Sequence, residues 1–155
     1  MSWPRGREEI IGMLQRRELT QVIADTPLAE RLLATARQHL LSAEALASTD
    51  AHLAYAALHD AVRKSLAALL QIQGLRATAT GGHLAIQHAT RAQSGASMGP
   101  ISARSTASAQ LATRSNTPTT TTWIDEDGVR DDLPIAIAVV DAADKALPHL
   151  TVFVW

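Results

Sequence analysis

The sequence predicts an all-α protein, an up-and-down bundle of about five helices in a single domain spanning residues 1–155. Three observations lead there. Apolar residues recur at three- and four-residue spacing through two long adjacent segments, from Leu28 to Ala47 and from Ala54 to Ile72. The chain is 46% hydrophobic but only 3% aromatic, so its core must be built from Ala, Leu, Ile and Val, a composition that suits packed helices better than a β-sandwich. Residues that start and stop helices flank most of the periodic segments. A length of 155 residues suits one domain with one core.

The first element is a short helix over residues 5–19, with Pro4 near its start, Glu8 and Glu9 in its first turns, and Ile10, Met13 and Leu14 at helical spacing. Asp25 or Thr26 can cap a second helix that has Pro27 at its first position and runs to about Ser48. Thr49 or Asp50 then caps a third helix, Ala51 to Gln73, which Gly74 terminates. Two long helices joined so tightly form an antiparallel hairpin. Leu75 to Gly82 reads as a polar connection, and His83 to Gln93 as a shorter fourth helix with a weak apolar face. Residues 92–122 are dominated by Ser, Thr, Ala and Gly, which predicts a long loop with partial helix between Ala103 and Thr113. Asp131 or Asp132 is expected to cap the last helix, with Pro134 in its first turn and Pro148 at its end. The β-branched run Ile135 to Val140 leaves a strand as the alternative. Thr151 to Trp155 reads as an extended tail whose apolar side chains need cover.

Several function classes fall away. With no cysteine the chain has no disulfide scaffold, zinc ribbon or thiol nucleophile. Its longest apolar runs, Leu66 to Leu70 and Ile135 to Val140, are far short of the roughly 18 residues of a membrane span. The opening MSWPRGREEI carries charge where a signal peptide needs an apolar stretch, so the expected location is the cytoplasm, away from membranes. No phosphate-binding glycine loop, nucleophile elbow or dinucleotide fingerprint is present.

Charge is more informative in its distribution than in its sum. Fourteen basic against 15 acidic residues give a net charge of −1. Between Asp60 and Asp125, however, there is no acid, while Arg63, Lys64, Arg76, Arg91, Arg104 and Arg114 all fall in that interval. Such a stretch can face phosphate, or can be cancelled by acidic helices packed beside it. Within the third helix His52, Tyr55, His59 and Arg63 lie at spacings of three, four and four and should form one polar ridge. Two histidines two turns apart are poorly placed to share a metal, and none is expected. Asp60 can pair with Arg63 or Lys64 on the helix surface. Tyr55, the only tyrosine, should pack its ring in the core with its hydroxyl at the rim. His83 follows Gly-Gly at a helix start, where capping or loop packing competes with anion binding.

The stretch AYAALHDAVRKSLAALLQIQGLRATATGGH, Ala54 to His83, resembles the central helix and following turn of bacterial HEPN domains. The pattern is Ala-Tyr, then Asp-Ala-x-Arg-Lys, Ala-x-Leu-Leu and Gly-Leu-Arg before Gly-His. WPRGREEIIGML, PLAERLLATARQHLLSAEAL and VRDDLPIAIAVVDAADKAL are similar to other parts of the same family, so the likeness covers Trp3 to about Arg91 and resumes at Trp123. It implies a helical bundle, a homodimer, and a place among toxin–antitoxin pairs, RNA-processing systems or defence. Active relatives cut RNA without metal or cofactor. In them an Arg fork holds the scissile phosphate while a His or other polar group assists proton transfer at the 2′-hydroxyl.

Where an Arg-Asn-x-x-Glu-Tyr motif is expected the chain reads RSNTPTTTT, keeping Arg114 and Asn116 without the Glu or Tyr. A local reading-frame change restored near Trp123 would produce such a segment, and translating the other frames would show the missing motif. By this resemblance Arg114 and Asn116 are the catalytic candidates, and Arg63, Arg76 and His83 the RNA-binding ones. The alternative is a catalytically inactive HEPN-like module that dimerises or holds a protein partner such as an antitoxin-like nucleotidyltransferase.

Overall fold

The computed structural model describes residues 5–94 and 124–154. They form five α-helices, α1 (Arg7–Gln15), α2 (Thr26–Leu46), α3 (Ala51–Ile72), α4 (Gly82–Ser94) and α5 (Glu126–Ala146), with a closing 3₁₀ turn, Leu147–His149. Two short strands, β1 (Leu19–Gln21) and β2 (Leu75–Ala77), pair antiparallel. The helical bundle expected from the sequence is thus present. Among the described residues no helix is long and apolar enough to cross a membrane.

The α2–α3 hairpin follows from two aspartate caps. Asp25, in an extended conformation, accepts the Leu28 N–H at 2.8 Å and Pro27 begins the helix behind it. Asp50 accepts the Leu53 N–H at 3.0 Å only four residues after α2 ends, so the chain has no room to do anything but reverse. The facing stripes are rich in alanine: Ala29, Ala36 and Ala43 on α2, Ala54, Ala61 and Ala68 on α3, interleaved with Leu33, Leu40, Leu58 and Leu69. Small residues between leucines let the helix backbones approach and the leucines fill the grooves. The third layer is α5, which buries Val129, Ala136, Val139, Val140 and Ala143. Tyr55, early in α3, bonds Asp132, early in α5, whereas Arg37 of α2 pairs with Asp144 near the end of α5. Helix α5 therefore runs with α3 and against α2.

A second set of contacts gathers at the C-terminal end of α3. Gly74 ends it with φ +71°, and an added Cβ would lie 2.8 Å from the Val22 carbonyl oxygen, so both the backbone angle and the close approach require glycine. Gln73 and Gln93 exchange side-chain amide hydrogen bonds of 3.0 and 2.7 Å, both buried, and fasten α4 to α3. The Gln73 carbonyl accepts the Phe153 N–H at 2.9 Å, while Arg7 donates to the Val154 carbonyl at 2.7 Å, and these bonds hold the extended tail against the fold.

Four expectations from the sequence need correction. Helix α1 stops at Gln15 rather than running to residue 19, because Arg17 takes φ 59° and the N–H groups of Arg17 and Glu18 turn back to the Leu14 and Met13 carbonyls. The polar connection after α3 contains β2, which pairs with residues freed by that early stop. Helix α4 continues to Ser94, past the point where the Ser/Thr-rich loop was expected to begin, because Thr90 and Gln93 are buried on its inner face. The last helix starts at Glu126, with Asp125 accepting the Gly128 N–H at 2.9 Å; neither Asp131 nor Asp132 caps it, and Pro134 lies in its interior. Pro134 is exposed, so water can serve the carbonyl that its missing N–H leaves without a partner. Ile135 to Val140 is helical throughout. The remainder of the predicted loop, with the partial helix at 103–113, lies outside the described residues.

Candidate functional site

Among the described residues, Asp60, Arg63, Lys64 and His39 form a group of ionisable side chains on the exposed side of the α2–α3 hairpin. Arg63 and Lys64 follow Asp60 by three and four residues, a spacing that brings both over one carboxylate. Arg63 Nε lies 2.9 Å from Asp60 Oδ1, and Lys64 Nζ lies 3.1 Å from Oδ2. From α2, His39 Nδ1 lies 2.9 Å from the same Oδ2. Partial burial pushes the Asp60 carboxyl toward the neutral form, but the hydrogen bonds and charges of Arg63 and Lys64 outweigh it and hold the pKa below the usual carboxylate range. Two fixed cations and a histidine around one anion leave the patch with excess positive charge. Sequence reasoning singled out Arg63 and missed His39. The signal was available, because His39 and Asp60 lie almost symmetrically about the Ala47–Asp50 joint and must meet across an antiparallel hairpin.

The polar ridge expected on α3 is only partly one. His52 and Arg63 are exposed, but Tyr55 is 6% exposed and belongs to a small apolar cluster with Ala47, Ala54 and Val129. As expected, its ring is in the core and its hydroxyl at the rim, where it donates to Asp132 Oδ2 at 3.2 Å. His59 meets the Tyr55 ring edge-on at 5.1 Å. Asp132 thus serves as a polar partner of α3 instead of a helix cap.

The remaining RNA-binding candidates lie elsewhere. Arg76 is exposed at the centre of β2, opposite Thr20, and His83 is exposed in the first turn of α4. Arg63 is nine residues from the end of α3, about 13 Å along the helix axis. Arg63, Arg76 and His83 thus lie on three different elements, α3, β2 and α4. The structure adds a feature that the sequence reading did not identify. Leu84, His88 and Arg91, at spacings of four and three, form an exposed stripe on α4, a helix that contains no acid. Of the acids on α1 and in the turn after it, Glu9 and Glu18 are held by Arg16, at 3.4 and 3.1 Å, and Glu8 is exposed. Arg114 and Asn116 lie outside the described residues.

Among the described residues no three His, Asp or Glu side chains come together as metal ligands. No family model, curated protein or solved structure matches the chain.

Proposed function

We propose that this chain is a HEPN-like helical protein that binds RNA, as a homodimer, through the segment that begins on α3 and contains no acid. One observation carries this reading. From Ala61 to Ile124 the chain has no Asp or Glu, and within the described part of that interval Arg63, Arg76, His83, His88 and Arg91 are all exposed. Arg63 is paired with Asp60; the other four, in a segment of the chain that contains no acid, are suited to tracking a phosphate backbone. The sequence resemblance to HEPN domains supplies the rest, with Arg114 to hold the scissile phosphate and Asn116 beside it as a polar partner. Membership of a toxin–antitoxin or defence pair belongs to the same proposal.

The test is a gel assay with labelled RNA and purified protein in EDTA, run beside Arg114→Ala. Metal-independent cleavage abolished by the substitution supports a nuclease, and retardation without cleavage supports a binding protein. Intact and unshifted RNA would overturn both. A second reading is favoured by one specific observation, the absence of the Glu and Tyr after Arg114 and Asn116. It makes the chain a catalytically inactive module that dimerises or holds a protein partner, and predicts unshifted RNA with partner binding intact in Arg114→Ala.

A further inference from the structure

Away from the Asp60 patch and the α4 stripe, an open cleft of ≈ 500 Å³ lies where the first half of α2 passes the end of α5 and the 3₁₀ turn. Its floor is apolar, made by Leu33, Ile72, Leu147 and Leu150. Three charged side chains line it as well: Glu30 and Arg37 from α2, and Asp144 from α5. Glu30, Leu33 and Arg37 are spaced by three and four residues, so one stripe of α2 supplies a carboxylate, a leucine and a guanidinium in succession. Arg37 and Asp144 close one end, 2.6 Å apart and each about half exposed. Glu30 has no ion pair or side-chain hydrogen bond among the described residues. Two carboxylates against one guanidinium leave the cleft with one negative charge in excess, beside apolar walls. The volume is within the range of small-molecule sites, and the lining is mixed, with apolar and polar surface in nearly equal parts.

We infer that this cleft binds a small amphipathic amine, its ammonium group on Glu30 and its apolar body against Leu33, Ile72, Leu147 and Leu150. The charge excess selects a cation over an anion, and the apolar floor selects a compact hydrocarbon or aryl body over a polyamine. Arg37 tunes the site, because its ion pair with Asp144 offsets one of the two carboxylates. None of its lining residues is among the exposed basic residues Arg63, Arg76, His83, His88 and Arg91.

The test is a titration of the ¹⁵N-labelled full chain with 2-phenylethylammonium, followed by amide chemical shifts, with 2-phenylethanol and phenylacetate as neutral and anionic probes of similar size. Saturable shifts should centre on Leu33, Arg37, Ile72 and Leu147 and follow the order amine, alcohol, carboxylate. Glu30→Gln should weaken the amine about two- to fivefold, the factor that one partly exposed ion pair supplies, and leave the alcohol unchanged. Arg37→Gln should do the opposite, freeing Asp144 and strengthening the amine by a similar factor. Opposite signs from two surface substitutions cannot come from loss of folding. Shifts absent from the cleft, equal binding of amine and alcohol, or two variants moving in the same direction would overturn the assignment.

Discussion

Arg17 occupies the left-handed region, φ 59°, immediately after Arg16, the C-cap of α1. That conformation costs an L-residue about 1–2 kcal/mol, and helices usually place glycine there. It is tolerated because the Arg17 and Glu18 N–H groups satisfy two carbonyls of the last turn, and the Arg17 carbonyl accepts the Thr78 hydroxyl at 2.5 Å. Arg17→Gly keeps those backbone bonds and removes the strain, offset in part by the extra freedom of glycine in the unfolded chain. It should raise stability by about 0.5–1 kcal/mol in urea denaturation. Tyr55 makes the opposite case. Tyr55→Phe leaves the ring packed on Val129 but removes the hydroxyl that Asp132 accepts, and should lower stability by about 1 kcal/mol in the same measurement. The role of Tyr55 was legible in the sequence, since a lone large ring in an alanine-rich helix has to be buried along its length. The strained Arg17 was not, because nothing in Arg-Arg-Glu announces a helix end.

Between elements, polar contacts of two kinds do the fastening. On the hairpin's exposed side Asp60 gathers Arg63 and Lys64 and lies 2.9 Å from His39 Nδ1 of α2. Its pKa is lower folded than unfolded, so it contributes stability that is fully present above the unfolded value of about 3.9 and lost as pH falls through the folded value. The stability difference between the native chain and Asp60→Asn should therefore be constant above about pH 5 and shrink below about pH 4, which chemical denaturation at a series of pH values would show. At the far end of α3 the Gln73–Gln93 pair is fully enclosed. Gln93→Ala leaves a buried amide with fewer partners, should cost about 1–3 kcal/mol, and should speed amide hydrogen exchange in α4 before α2 and α3.

The long helices were readable at this scale because cap and apolar stripe agree: Asp25 with Pro27 before Leu28, Asp50 before Leu53. The two small strands were not, since three residues are too few to show alternation and β1 pairs with a segment more than fifty residues away. The start of α5 was misplaced for a different reason. Asp125, Asp131 and Asp132 are equally good caps by composition, and Pro134 favours the later ones. Tertiary context decides, because Val129 is fully buried against Tyr55 and needs helix ahead of it.

For the molecule as a whole, the net charge of −1 conceals an acid-free interval that begins at Ala61. The described basic residues of that interval are carried by three elements, α3, β2 and α4, and Arg63 is already engaged by Asp60. Several exposed basic side chains on neighbouring elements fit contact with more than one phosphate of a backbone. The same bundle should associate in pairs if the HEPN-like reading holds, and light scattering of the purified chain should then give twice the chain mass. The most direct measurement is fluorescence anisotropy of a labelled single-stranded RNA in EDTA, titrated with the native chain, Arg76→Gln and Arg91→Gln over a range of salt concentrations. The account predicts an affinity that falls linearly with salt on a logarithmic plot, by about 0.7 per phosphate neutralised, with each substitution weakening binding and making the slope shallower by roughly one such contact. No binding at low salt, or binding that neither substitution alters, would contradict it.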